Sequence, residues 1–337
     1  MAEALTLQKA LDHLLDSKKD IPRGHLTLYS DLDPKSLRLF SDIWSSVKPA
    51  RQLLLLDQLI ANLEEDTLVN YEEIGHLLLD DADGEVRARA ILLLAESDDP
   101  KLVGKLTDIL LNDTVLAPRI AAADLLGEFI LLGELEAIKT ELQRKAEDAL
   151  LAVIKNEENN HLLRKQALEA IGYSSRPEMV AEIEFAFERA DPAWVASALR
   201  AMGRSHDERW NEDVLTKLLE YDPRIRLAAV QAAGELNIAS ASPALIQMLE
   251  EEEEDDDVTA AVIWSLSQIG GEDARIYLLS LIESTEDEDA LEYLESALEN
   301  LDFNQELNKF DLLDLEDLDD VELDELEIDE EEDEEDK

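Results

Sequence analysis

The stretch Asp222–Glu250, DPRIRLAAVQAAGELNIASASPALIQMLE, decides the fold. Asp222 can cap the free amides of a helix start, and Pro223 suits the first helical position, where its missing N–H is not needed. Arg226, Ala229, Val230 and Ala233 precede Gly234 by 8, 5, 4 and 1 residues, which places them with it on one face of a 3.6-residue helix. Gly234 reads as the left-handed residue that closes the helix. A second, shorter apolar helix follows over Pro243–Leu249. A helical hairpin of about 31 residues cannot bury its apolar face alone, so it must stack on copies of itself.

Copies are present on both sides. Taking the small residue that ends each first helix as an anchor gives Ala95, Gly127, Gly172, Gly203, Gly234 and Gly270, with a degenerate copy ending near Leu301. The intervals are 32, 45, 31, 31, 36 and 31 residues. The 36 carries an acidic insertion, Glu250–Asp257, and the 45 a longer second helix over Leu135–Asn156. Five before the anchor stands Ala (Ala90, Ala122, Ala167, Ala198, Ala229), which lets a neighbouring helix approach closely. Eight before it stands Arg (Arg87, Arg119, Arg164, Arg226), and twelve before it Asp or Asn (Asp83, Asn160, Asp191, Asp222, Asp289). The offset of four between Arg and Asp or Asn suggests a carboxylate pair on the same helix or a neighbouring repeat, a structural use of Arg. Second helices are expected over Leu102–Leu111, Pro177–Ala190, Val214–Tyr221, Pro243–Leu249 and Ala274–Ile282.

With its Asp-Pro opening, Arg, Ala, closing Gly and Pro-started second helix, Asp222–Glu250 closely resembles the HEAT repeat, in the subclass named after phycobilisome lyases. The likeness covers roughly residues 80 to 301, and the whole chain resembles bacterial HEAT-repeat proteins. It implies an all-α, right-handed α-solenoid of about seven or eight hairpins. Residues 49–79 read as a degenerate first copy with helices over Leu53–Leu63 and Tyr71–Leu79. Residues 1–48 are expected to form a helical N-terminal cap and residues 49–310 the repeat solenoid, with Phe303, Leu307 and Phe310 sealing its last unit. Residues 311–337 are expected to be a disordered acidic tail: from Asp302 to Lys337, 20 acidic residues stand against 2 basic ones, a density that opposes compaction. Apolar residues alternate with acids as far as Ile328, a pattern that can order in a partner's groove.

Composition closes off several functions. The 337 residues contain no Cys, which excludes a disulfide scaffold, a thiolate metal site and a catalytic thiol. A net charge of −52 opposes the basic surface that nucleic-acid phosphates require. No apolar run reaches the ~18 residues of a membrane span. The start, MAEALTLQKALDHLL, has no basic stretch ahead of an apolar core, so a soluble cytoplasmic protein is expected.

Enzymatic readings come from the resemblance rather than from the residues. A HEAT-like hydroxylase of deoxyhypusine type implies a di-iron site of His-Glu pairs. The five histidines here, His13, His25, His76, His161 and His206, are followed by Leu or Asp, and read as scattered core or surface residues. A phycobilin lyase would need a tetrapyrrole pocket, for which Trp194, Trp210, Trp264 and Tyr277 are the available aromatics; at helical spacing they read as packing residues. The run at Glu250–Asp257 and the Asp81-Ala82-Asp83-Gly84 segment lack the ligand spacing of a calcium loop. Gly270-Gly271 is followed by no Lys-Ser or Lys-Thr, and no Gly-x-Ser-x-Gly elbow appears. No catalytic, cofactor or metal residue is therefore assigned, and no cofactor is expected. The expectation is a non-catalytic scaffold that takes a basic protein on its concave face, its acidic tail, or both. The concave face is expected on the second helices, with Glu182, Lys217, Gln247 and Arg275 as contacts, and the tail contacts are Phe310, Leu312, Leu313, Leu315 and Leu318.

Overall fold

The computed structural model describes residues 6–251 and 255–316, with side chains as far as Glu306. Among these residues all regular structure is helical. They fall into two compact units, Met1–Leu236 and Asn237 onward. The first unit opens with α1 (Leu7–Leu15), a 3-10 segment (Arg23–Tyr29) and α2 (Pro34–Trp44). Helical hairpins follow: α3 (Pro49–Glu65) with α4 (Glu72–Leu78), α5 (Gly84–Leu92) with α6 (Leu102–Asn112), and α7 (Leu116–Glu134) with α8 (Thr140–Lys155). Next come α9 (His161–Ala170) with α10 (Pro177–Phe187), α11 (Pro192–Arg204) with α12 (Asn211–Leu215), and finally α13 (Pro223–Glu235). The second unit holds α14 (Ser242–Glu250), α15 (Asp256–Ile269), α16 (Glu272–Ser284) and α17 (Glu288–Glu316). Stacked helical hairpins are the architecture the repeat predicts.

Four first helices start where the sequence places a cap, whereas α3 and α7 have no side-chain cap and at the start of α17 it is Asp287, not Asp289, that accepts from a backbone amide. Asp83, Asn160, Asp191 and Asp222 accept through Oδ1 from the amide two residues on, at 2.8–3.0 Å. Each such cap contributes about 1 kcal/mol. These residues are thus engaged with the backbone, and the recurring Arg four positions later finds other partners. Arg87 forks onto Asp113 in the next inter-hairpin turn (2.8 and 2.7 Å) and donates to the Asp81 carbonyl. Arg119 donates to the Leu110 carbonyl and to Asn159, Arg164 to the Ile154 carbonyl, and Arg226 to the Glu220 and Tyr221 carbonyls. The Arg column therefore closes the C-terminal carbonyls that precede each first helix, a use for which its planar fork is suited. Its structural role stands, and of the two carboxylate pairs expected Arg87 makes the one to the neighbouring repeat, not the one on its own helix.

The first helices of the first unit touch backbone to backbone. A β-carbon on Gly127 would lie 3.1 Å from the Ala170 carbonyl oxygen, one on Gly172 2.8 Å from Ala201 Cα, and one on Gly203 3.0 Å from Ala232 Cα. Each Gly meets the residue two before the next anchor, so the seam repeats with the sequence. This corrects the reading of these glycines as left-handed helix ends. Gly127, Gly203 and Gly234 lie inside α7, α11 and α13, Gly172 sits in a 3-10 turn, and among the described glycines only Gly270 and Gly271 have positive φ. The left-handed residues after α7, α11 and α13 are Glu136, His206 and Asn237. Bulk, not backbone freedom, dictates glycine in the seam.

Other boundaries shift for visible reasons. The long interval is filled partly by α7 continuing past Gly127 to Glu134, where Phe129 and Ile130 are fully buried, and partly by the longer second helix expected there, α8, which starts at Thr140 and not at Leu135. The insertion at Glu250–Asp257 ends as a helix start, with Asp255 capping Asp257 and Val258. In the second unit Leu294, Ala297 and Leu301 bury the core face of α17, whereas Phe303 is 61% exposed and does not seal it. The helix runs on to Glu316, beyond the expected start of the tail at Asp311. The 3–4 spacing of Phe303, Leu307, Phe310 and Leu313 continues the helical period across that point. The tail from residue 317 lies outside the described residues.

In the N-terminal cap Leu11, Leu14, Tyr29, Phe40 and Trp44 are buried, and Phe40 stacks on Trp44 at 5.0 Å. Arg51 of α3 fastens α1 to the first hairpin by donating to the Leu14 and His13 carbonyls at 2.7 and 2.8 Å. The histidines are less scattered than expected: His13 and His25 face each other at 4.9 Å.

Candidate functional site

Within the first unit the first helices adjoin one another along a continuous row, α5 to α7 to α9 to α11 to α13. Their backbones touch at the glycine seam, and the tighter row of a two-layer stack lies on the inside of its bend. A single contact shows how tight it is. Arg204 of α11 reaches across α9 to Asp124 of α7, with both guanidinium nitrogens at 3.4 Å from Oδ1. Two steps of ordinary helix spacing, ~16–20 Å, exceed what these two side chains can bridge on a straight row. The inner face is thus built by the first helices, and the expectation that second helices line it is overturned.

The inner face carries a strip of polar side chains. They stand three before and one after each anchor: Asp124 and Glu128, Glu169 and Tyr173, Arg200 and Arg204, Gln231 and Glu235. Positions four apart share a helix face, so four helices present one column each. Gln166 donates to Asp124 at 2.8 Å, Tyr173 to Glu128 at 3.1 Å, and Ser197 and Arg200 to Glu169 at 2.5 and 3.1 Å. Arg204 also lies over the Tyr173 ring at 5.5 Å. Burial works to lower the Arg204 pKa, but Tyr173, Asp124, Glu169 and Glu128 together hold it above its ordinary value. Burial pushes the Tyr173 hydroxyl to about 12 despite Arg204. At the end of the strip burial raises the Glu235 carboxyl, against the pull of Arg204 and Arg200. Its Oε2 is buried with no hydrogen-bond partner. Four carboxylates face two guanidinium groups, leaving the strip negative and one of its oxygens unsatisfied.

The residues expected to make contacts are each engaged close by. Glu182 of α10 pairs with Lys155 at 3.5 Å, and Lys217 pairs with Glu220 at 3.1 Å while lying over the Phe187 ring at 5.7 Å. In the second unit Gln247 donates to Glu251 at 2.7 Å, and Arg275 is bonded to Asp302. Each serves a local pair. The side chains of Phe310, Leu312, Leu313 and Leu315 lie outside the described residues, as does Leu318. Trp194 and Trp210 are core residues, each 3% exposed, and Arg189 lies over the Trp194 ring at 4.3 Å; Trp264 is 39% exposed beside Tyr293. Among the described residues no group of three or more His, Asp or Glu is placed to hold a metal ion, and no helix is long and apolar enough to cross a membrane.

The strip was missed although it has a sequence signal. The apolar offsets of 8, 5, 4, 1 and 0 define the buried face, and the polar residues at three before and one after the anchor complete the period beside it.

A comparison with known families adds to this geometry. Residues 212–299 match the family of HEAT repeats. The chain carries HEAT repeats. No curated protein matches it in sequence. Among solved structures, the complex of CpcE and CpcF of phycocyanin lyase from Nostoc sp. PCC7120 is similar at 16% identity and TM-score 0.46, over 68% of this chain and 94% of that one. Human deoxyhypusine hydroxylase is similar at 15% identity and TM-score 0.33, over 78% and 95%. Importin beta is similar at 11% identity and TM-score 0.43, over 87% of this chain and 46% of that one. At such scores none of the three bears on what this HEAT-repeat chain does.

Proposed function

We propose that this HEAT-repeat chain is a non-catalytic scaffold that binds a basic protein on the inner face of its first unit. The observation that carries this reading is the polar strip of Asp124, Glu128, Glu169 and Glu235, negative overall and ending in a buried carboxylate oxygen without a partner. A carboxylate held this way destabilises the fold, and an incoming Lys or Arg would relieve it. The net charge of −52 supports the same partner class, since it accelerates encounter with cations over long range. At a Debye length of ~8 Å in physiological salt, that attraction weakens with added salt.

The test is capture from an extract of the native cell on the immobilised full chain, at low and high salt. Basic proteins should be retained at low salt, and the variant Glu128→Gln/Glu169→Gln/Glu235→Gln should retain markedly less. Equal capture by wild type and variant would remove the inner face from the interaction. Removing residues 317–337 separates a recruiting tail from a solubilising one: a recruiting tail lowers capture, and a solubilising tail leaves it unchanged.

A further inference from the structure

At the N-terminal end of the same inner face the side chains change character. The anchor of α5 is Ala95, and the positions three before and one after it are Leu92 and Glu96. They border an open groove of about 480 Å³ formed by the ends of α3 and α5 and the loop between α3 and α4. Its apolar lining comes from Ile60, Leu63, Leu68, Val69 and Leu92. Its charged lining is acidic only, Asp31, Glu64, Glu72 and Glu96, with no Lys or Arg.

Leu68 stands 89% exposed on the lip, and Leu92 is 42% exposed. This exposure is built in. Asp66 accepts from the Leu68 amide at 3.0 Å, Ser30 Oγ accepts from the Asn70 amide at 2.9 Å, and the Asn70 carbonyl accepts from the Asp31 amide at 2.9 Å. The loop is tied both to itself and to the N-terminal cap, so Leu68 is presented rather than left over. Two helices also end at the groove, and helix C-termini favour cations.

We propose that this groove docks a short segment of the partner protein in which apolar side chains are flanked by Lys or Arg. Apolar anchors would cover Leu68 and Leu92, and the flanking cations would face Glu64, Glu72 and Glu96. Charge decides the occupant. The chain's own C-terminal residues, with 20 acids against 2 bases from Asp302 onward, would meet like charge, as would a second copy of a chain at −52. The proposal rests on the inner face being the partner surface and adds where on it the apolar contacts fall.

The experiment uses fluorescence anisotropy of labelled synthetic peptides with the full chain. The first probe carries leucines at helical spacing among lysines; the second replaces its lysines with glutamates, and the third replaces its leucines with serines. The first should bind, the second should not, and the third should bind at least about tenfold more weakly, the scale of one buried leucine. Leu68→Asp and, separately, Glu96→Lys should each weaken the first probe about tenfold or more; both positions are exposed, so the fold is retained. If the third probe binds as tightly as the first, or if both variants bind like wild type, the groove is not the docking site. Glu128→Gln/Glu169→Gln should leave the first probe unaffected. Failure here would leave capture on the polar strip intact, whereas loss of basic-protein capture by the wild-type chain would sink the broader reading independently of these peptides.

Discussion

Two glycine-to-alanine substitutions should move stability in opposite directions. Gly104 lies within α6, and a β-carbon there would meet only the far end of the Lys145 side chain, at 3.4 Å. Alanine at such a site gains the ordinary helix preference over glycine, so Gly104→Ala should stabilise by about 0.5–1 kcal/mol. Gly172 occupies a right-handed 3-10 turn that alanine also tolerates. Its β-carbon, however, would stand 2.8 Å from Ala201 Cα and 3.0 Å from the Ala201 carbonyl carbon, with the carbonyl oxygen closer still. Carbon atoms sit comfortably at ~3.5–4.0 Å, so the overlap approaches an ångström, and the atoms opposed are main chain that no rotamer change can remove. Helices α9 and α11 must part, losing contacts along the seam on both sides. Overpacking of this kind costs about 1–3 kcal/mol or more, which outweighs the gain in helix preference. Urea unfolding followed by circular dichroism measures both, and for a unit of this size each kcal/mol moves the melting temperature by about 2–4 °C. If Gly172→Ala were as stable as Gly104→Ala, the claim that the first helices meet at their backbones would be wrong.

Three further outcomes are expected. Glu147 is fully buried, accepts from Ser174 at 2.7 Å and pairs with Arg176 at 2.9 Å; Arg176→Ala strands its charge and should cost about 3 kcal/mol in urea unfolding, largely recovered by adding Glu147→Met. His25 is held below its ordinary 6.5, first by burial and then by His13. The unfolded chain therefore takes up a proton that the fold resists, so stability is full above 6.5 and falls as pH drops through the window beneath it. Thermal unfolding on either side of that value should show the slope, and His25→Leu should flatten it. Glu235 is shifted the other way, upward through burial, so its ionisation weakens the fold as pH rises past its ordinary 4.5. Glu235→Gln should be more stable than wild type near neutrality, with the difference closing near pH 4; a variant less stable at pH 7 would mean that the carboxylate is well partnered.

The hairpins were legible because their signals are local: Asp-Pro starts, small residues at fixed offsets and a 3.6-residue period each act within one helix. Gly127, Gly172 and Gly203 were correctly seen as special and wrongly explained, because a residue excluded by a neighbour 29 or 43 positions away looks the same in sequence as one that must turn left-handed. For Arg87 the sequence left two partners open, one on the same helix and one in a neighbouring repeat; the pair to Asp113 is the second, because Asp83 four residues earlier is occupied in capping. The choice of inner face inverted the candidate contacts. Which helix layer lies inside depends on interhelical distance, and that distance is set by Gly-against-Ala packing between repeats. Glu182 and Lys217 followed from the wrong layer, while Glu128, Glu169 and Glu235 were present at regular offsets.

Arg204 and Asp124 skip a whole hairpin, and their contact already stands at 3.4 Å. It survives only while α7, α9 and α11 keep their present curvature, so flattening the row would break it. The pair thus behaves as a latch on the arc of the stack. On the proposed reading, a cationic guest that claimed Asp124 would release that latch as it seated, and occupancy of the inner face would then be coupled to the stiffness of three consecutive hairpins.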